Sequence, residues 1–386
     1  MRTLCIALAS GPIRVFRRIT NMKFRIAAAV LALTTFASAQ QSAKPDDQAR
    51  FLGGLSVTGT ALESLAQETD LKVHAKESDS AWGELETRQL SKIREWSGQQ
   101  LAETVAEKGT LFYMFSGPDA LYAQTFFPNA ATTVLCGLEP VGTVPDVTAI
   151  PRTTLDSALS NLRTSMNSVL SFSFFRTIDM KVNLQATQLN GTLPVIYIFL
   201  ARTGCKLEST ELVMLNQDGG FVTEKGSTHG AKIVFTRNGG PKQTLYYFTT
   251  DLSNDGIKNH KGFINFCNTL GDGVGFTKAA SYLMHNAYFS DVRDFLLAKC
   301  KTIVEDDSGI PVKYFAEDQW LVRYFGTYAG PIDMFKERVQ PDMAEAMKKK
   351  SAPLPFSFGY RWHPRESSLI VATALKAIPK AKPVTE

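Results

Sequence analysis

Ser116, Gly117 and Asp119 in "FSGPDA", and Glu139 in "CGLEP", are the residues of this chain whose types and spacing could do chemistry. The first three follow a short apolar run, "TLFYMF", and precede "ALYAQTFF", whose apolar spacing is helical. Glu139 closes a second apolar run, "TTVLCGLEP". Strand, glycine turn, helix and acid-ended strand form the opening of nucleotide- and adenosylmethionine-binding folds. There the glycine lets the backbone approach the ligand, and the acid takes ribose hydroxyls. The match here is incomplete. The loop has a single glycine and no Gly-x-Gly spacing, and Pro118 removes a backbone N–H that a phosphate would use. The segment is therefore read as an ordinary α/β unit with no cofactor assigned. Gly117 is the one cofactor-contacting candidate.

A hydrolytic site is the other chemistry these residues could support. Ser116 lies after a strand and before a helix, where a nucleophile can be presented, and Asp119, Glu139 and His285 complete a set drawn from distant parts of the chain. No Gly-x-Ser-x-Gly elbow occurs. Ser227 and His229 in "KGSTHG" stand too close in sequence for their side chains to converge. The histidines are His74, His229, His260, His285 and His363; no two are three or four apart, so no helix face presents a metal-ligand pair and no metal is assigned. Glu305, Asp306 and Asp307 in "EDDSGIP" could hold a cation or share a proton, but the Ser-Gly turn beside them reads as a solvated connection.

The elements expected to position these groups are an α/β set, a mixed parallel and antiparallel sheet with flanking helices. Residues 40–108 read as mainly helical, with Leu85, Leu90, Ile93, Trp96, Leu101 and Val105 near helical spacing and Gly98 as a break. Residues 109–386 read as the α/β domain, itself divisible near residue 205. The two strands of 109–139, joined by a helix, predict parallel pairing. "TTLDSALSNLRTSMNSVLSF" at 153–172 predicts an amphipathic helix. The apolar run in "TLPVIYIFLARTG" predicts a central strand. "STELVML", "AKIVFTR" and "QTLYYFTTDL" predict antiparallel strands, with "NGGPK" as a turn. "KGFINFCNTL", "TKAASYLMHNA" and "FSDVRDFLLAKCKTIV" predict three helices. "GIPVKYF", "WLVRYFGTY" and "SLIVATAL" predict strands, with a helix near 341–350.

The N-terminal residues predict a compartment. From Met22, Lys23 and Arg25 precede an apolar run from Ile26 to Phe36, and Ala37-Ser38-Ala39 provides a small-residue exit. Residues 1–39 thus read as a leader with a secretory signal whose start is Met22, cleaved before Gln40. The expected location is outside the cytoplasm, in a periplasm or extracellular. No later run is long and apolar enough for a membrane span. Without the leader the basic residues fall from 42 to 36 against 37 acidic ones, a net charge of −1. That balance gives no general attraction to nucleic acid or anionic lipid. An exported chain could pair Cys136, Cys205, Cys267 and Cys300 in three ways, and Cys136 in its apolar run could equally be a buried thiol.

Five stretches, "FYMFSGPDALYAQTFFPNA", "CGLEPVG", "KAASYLMH", "DDSGIPVKYF" and "YAGPIDMF", resemble blocks of a family of exported bacterial proteins with no assigned activity. The resemblance spans roughly residues 109 to 335. It implies export and one integrated α/β unit, and it supplies no residue roles. The functional expectation is an exported protein that binds a small ligand or an envelope component. A hydrolase-like enzyme with its site at strand carboxyl ends is the alternative, and a Rossmann-like cofactor binder the second alternative.

Overall fold

The computed structural model of the protein describes residues 43–172 and 188–378, without the side chains of 167–172. The leader read at 1–39 lies outside these residues. The described residues belong to one compact unit. Helices come first: α1 (Pro45–Leu52), α2 (Glu63–Ala66), α3 (Thr69–Leu85), α4 (Ser91–Gln100) and α5 (Ala102–Ala106). Strands and helices then alternate through β1 (Thr110–Tyr113), α6 (Ala120–Phe126), β2 (Thr132–Gly137), α7 (Arg152–Phe172) and α8 (Leu193–Arg202). An antiparallel group follows, β3 (Cys205–Leu215), β4 (Phe221–Val222), β5 (Thr228–Arg237) and β6 (Lys242–Thr249). The remainder holds α9 (Asn254–Asn259), α10 (Gly262–Thr269), β7 (Gly273–Thr277), α11 (Ser290–Lys299), β8 (Cys300–Glu305), β9 (Trp320–Gly326), α12 (Pro341–Lys350) and β10 (Ser368–Ala374).

Among the described residues ten strands join one mixed sheet in the order β4-β3-β5-β6-β2-β1-β7-β8-β10-β9. Its centre, β6-β2-β1-β7-β8, is parallel. The flanks are antiparallel, β3 against β4 and β5 on one side and β10 against β8 and β9 on the other. Counted along the chain, the parallel strands run 3-2-1-4-5 across the sheet, so the order reverses between β1 and β7. Strand side chains alternate between two cores, as a pleat buried on both faces requires. Leu111, Tyr113 and Leu135 face one core with α1, α4, α6 and α8. Phe112, Met114, Val134 and Cys136 face the other with α10 and α11. The first core also seats the N-terminal helices. Trp96 of α4 meets Phe126, Phe325 and Phe356 edge-on, with ring centroids 6.2, 4.9 and 5.6 Å apart. Each such contact contributes roughly 0.5–1.5 kcal/mol beyond the area it buries.

Several sequence expectations are corrected. "PVIYIFLA" is not a strand but most of helix α8, whose nine residues Leu193–Ala201 are all buried. An apolar run of this length fits a buried helix or strand equally. Pro194 in the first turn and left-handed Gly204, at φ +81°, mark the helical solution. α4 runs through Gly98, and the break falls at Leu101. The 289–304 segment is α11 followed by strand β8 rather than one helix. "GIPVKYF" makes a short 3-10 turn, not a strand. "TKAASYLMHNA" is not a helix: Ala279, Ser281 and Tyr282 have left-handed backbone and only short 3-10 turns follow. The strand that precedes it, β7, was not anticipated because Gly273 and Gly275 weaken its pattern. A Cβ on Gly273 would lie 2.3 Å from the Thr110 carbonyl oxygen, so glycine is what lets β7 run beside β1. Cys136, Cys205, Cys267 and Cys300 are all buried free thiols. Among the described residues no helix is long and apolar enough to cross a membrane.

Candidate functional site

A cavity of about 350 Å³ opens at the carboxyl ends of β1, β2, β6 and β7, where the strand order reverses. Ligand sites in open parallel sheets gather at this place because neighbouring connections leave to opposite faces and part there. The loop after β1 supplies Phe115, Ser116, Gly117 and Asp119; the end of β2 supplies Gly137 and Glu139. Asp251 and Leu252 come from beyond β6, Lys278 to Ser281 from beyond β7, and Tyr360 from the segment before β10.

Glu139 and the two glycines form one wall. Gly117 has φ +53°, and its N–H donates to the Cys136 carbonyl at 3.0 Å, tying the first loop to β2. A Cβ on Gly137 would lie 2.3 Å from Glu139 Oε2 and 3.0 Å from Gly117 Cα. The bare backbone at Gly137 is thus what lets the Glu139 carboxylate lie against it. Ser116 Oγ spends its capacity on the same seam. It accepts from the Cys136 N–H at 3.0 Å and faces the Gly117 and Cys136 carbonyls at 2.9 and 3.2 Å.

The opposite wall holds a buried ion pair. Lys278 Nζ lies 2.8 Å from Asp119 Oδ2, with both side chains 2 % exposed. The same ammonium sits 3.4 Å from the centroid of the Tyr122 ring, a cation–π arrangement. Tyr113 donates its hydroxyl to Asp119 Oδ2 at 2.8 Å, and the Tyr122 N–H donates to Asp119 Oδ1 at 3.0 Å, which caps α6. Burial pulls Lys278 below the ordinary lysine value, while Asp119 and Asp306 pull it back. Burial, then the Asp119 charge, pushes the Tyr113 hydroxyl well above the usual tyrosine range.

Lys278 is aimed by a strained loop. Ala279, Ser281 and Tyr282 have φ of 52°, 52° and 54°, and Phe115 across the cavity has φ 59°. Left-handed backbone costs roughly 1–3 kcal/mol at each non-glycine residue and persists only where its surroundings over-determine it. Here successive residues are each held. The Ala279 N–H donates to Asp306 Oδ2 at 3.1 Å, the Ala280 N–H to Ser308 Oγ at 2.7 Å and the Ser281 N–H to the Tyr360 hydroxyl at 3.0 Å. Tyr282 donates its hydroxyl to Asp307 Oδ2 at 2.5 Å. Glu305, Asp306 and Asp307 are therefore not a solvated turn; they are 0 %, 1 % and 6 % exposed, and Asp306 and Asp307 brace this loop. Burial raises all three carboxyls above their ordinary values. Asp307 raises Asp306 further, and Asp306 raises Glu305.

Of the residues singled out in the sequence, Ser116, Gly117, Asp119 and Glu139 meet in the cavity. His285 is not among its lining residues. It packs edge-on against Tyr282, with ring centroids 5.1 Å apart, and burial lowers its pKa to about 4. Lys278, Asp251 and Tyr360 were missed. Recognising Gly-Val-Gly-Phe-Thr as a strand would have placed Lys278 at a strand end, the position that Glu139 occupies on β2. Among the described residues no group of His, Cys, Asp and Glu is arranged to hold a metal ion. No family model, curated protein or solved structure matches this chain.

Proposed function

We propose that this protein binds a nucleoside-containing small molecule in the cavity beside Gly117, and that it does so outside the cytoplasm. The observation that carries the reading is the position of Glu139. It stands at the carboxyl end of the second strand of a 3-2-1-4-5 parallel sheet, in the cavity at the reversal of strand order. In doubly wound sheets of this order an acid at that place accepts the hydroxyls of a ribose. Phe115, Leu252, Leu283 and Phe289 give the cavity apolar surface for a base.

The hydrolase reading rests on Ser116, Asp119 and Glu139 sharing one cavity. Against it, the hydrogen bonds of Ser116 Oγ run to backbone groups and Asp119 is engaged by Lys278. Calorimetric titration of the chain with adenosine, S-adenosylmethionine, AMP and NAD tests the binding reading. At least one binds, and Glu139→Gln weakens it by roughly 10- to 150-fold, the worth of a hydrogen bond to a charged acceptor. Absence of binding by all four, or an unchanged affinity in Glu139→Gln, refutes it.

A further inference from the structure

The loop after β1 departs from a phosphate-binding loop in a way that specifies the ligand. Phosphate sites at this place use free backbone N–H groups at a helix start, together with the positive end of the helix. Here the N–H groups of Gly117, Asp119, Ala120 and Tyr122 are committed. Gly117 N–H donates to the Cys136 carbonyl at 3.0 Å, Asp119 N–H to the Ser116 carbonyl at 3.3 Å, and Ala120 N–H to the Pro118 carbonyl at 2.6 Å. Pro118 has no N–H. The Tyr122 N–H is taken by Asp119 Oδ1 at 3.0 Å. A carboxylate thus occupies the place at the helix start that a phosphate would need, and it is 2 % exposed and locked by Lys278 and Tyr113. Lys278 is the cation among the described lining residues, and it lies 2.8 Å from that carboxylate.

We infer that the cavity takes a nucleoside without a 5′-phosphate, one whose 5′ substituent is neutral or cationic, and that it rejects nucleotides. The inference rests on the nucleoside reading above and adds the class of ligand. An incoming phosphate would find no free amide among those named, and the cation of the lining, Lys278, is already matched by Asp119, so the pair offers it no net positive charge.

The test is a titration series on the full chain at one ionic strength, with adenosine, S-adenosylmethionine, AMP and ADP as probes. The expected result is binding of adenosine or S-adenosylmethionine, with AMP and ADP at least tenfold weaker. AMP or ADP binding within tenfold of adenosine and S-adenosylmethionine, or more tightly, overturns the inference and leaves the nucleoside reading standing. Absence of binding by all of these probes and by NAD overturns that reading itself. Asp119→Asn keeps a side-chain oxygen to cap α6 and removes the charge, leaving Lys278 unmatched. In this variant the ratio of AMP to adenosine affinity rises by tenfold or more; a ratio unchanged from wild type counts against the inference. Because both outcomes are ratios on one protein, partial loss of folded material does not obscure them.

Discussion

Lys278→Met removes the positive partner of a buried pair and leaves Asp119 carboxylate 2 % exposed among Tyr113, Tyr122 and the start of α6. Breaking a buried ion pair from one side costs about 3–5 kcal/mol, because a charge remains without its counter-charge in a medium that solvates it poorly. The cation–π contact with Tyr122, at 3.4 Å, falls within that loss. Asp119→Asn should cost a similar amount, since it strands Lys278. In the double variant neither charge remains. The Asn side chain can still accept from the Tyr122 N–H, so the loss should be smaller than the sum of the two single losses by at least ~2 kcal/mol. Urea unfolding of all four proteins at pH 7, with m-values checked for constancy, reads this coupling directly. Single losses below ~1 kcal/mol, or additive losses, would refute the claim that this pair holds the cavity wall.

Three further outcomes follow from named contacts. His74 donates from Nε2 to the Leu52 carbonyl at 3.1 Å and accepts at Nδ1 from Arg163 at 2.7 Å, so it is neutral in the fold. Burial, then Arg163, lowers its pKa to about 4. Its contribution is complete above the unfolded value of 6.5 and is lost as the pH falls through 4, an acid loss of about 3 kcal/mol. His74→Gln should remove that part of the stability profile between pH 4 and 6.5, and an unchanged profile would disprove the assignment. Gly137→Ala puts a Cβ 2.3 Å from Glu139 Oε2, so it should displace Glu139 and weaken nucleoside binding at least tenfold. Titration of that variant with adenosine and S-adenosylmethionine checks this. Cys136, Cys205, Cys267 and Cys300 should resist a thiol reagent in the native chain and react in denaturant without reductant, as mass shifts would show; a pair that stays unreactive would mean a disulfide.

The α/β class and the parallel unit at 109–139 were legible because each depends on local pattern: apolar runs of strand length, a helical repeat between them, and turn residues at the joints. Ser116, Gly117, Asp119 and Glu139 were legible as a group for the same reason, since one strand–helix–strand unit carries them all. The runs that failed lack such local cues. The α8 sequence is apolar on every side and reads as a strand until its burial between the sheet and α1 is known. The 278–282 loop has helix-compatible composition, and its left-handed residues are imposed by Asp306, Ser308 and Tyr360 from distant segments.

The sequence alone thus determined which short segments become strands and helices around the first loop, and that an acid ends the second strand. Tertiary structure decided the order of the ten strands, the reversal that opens the cavity, and the pairing of Lys278 with Asp119. The physical reason is range. Backbone periodicity and turn chemistry act over a few residues, whereas a buried ammonium and its carboxylate meet only after the 158 residues between them have been folded into adjacent strands.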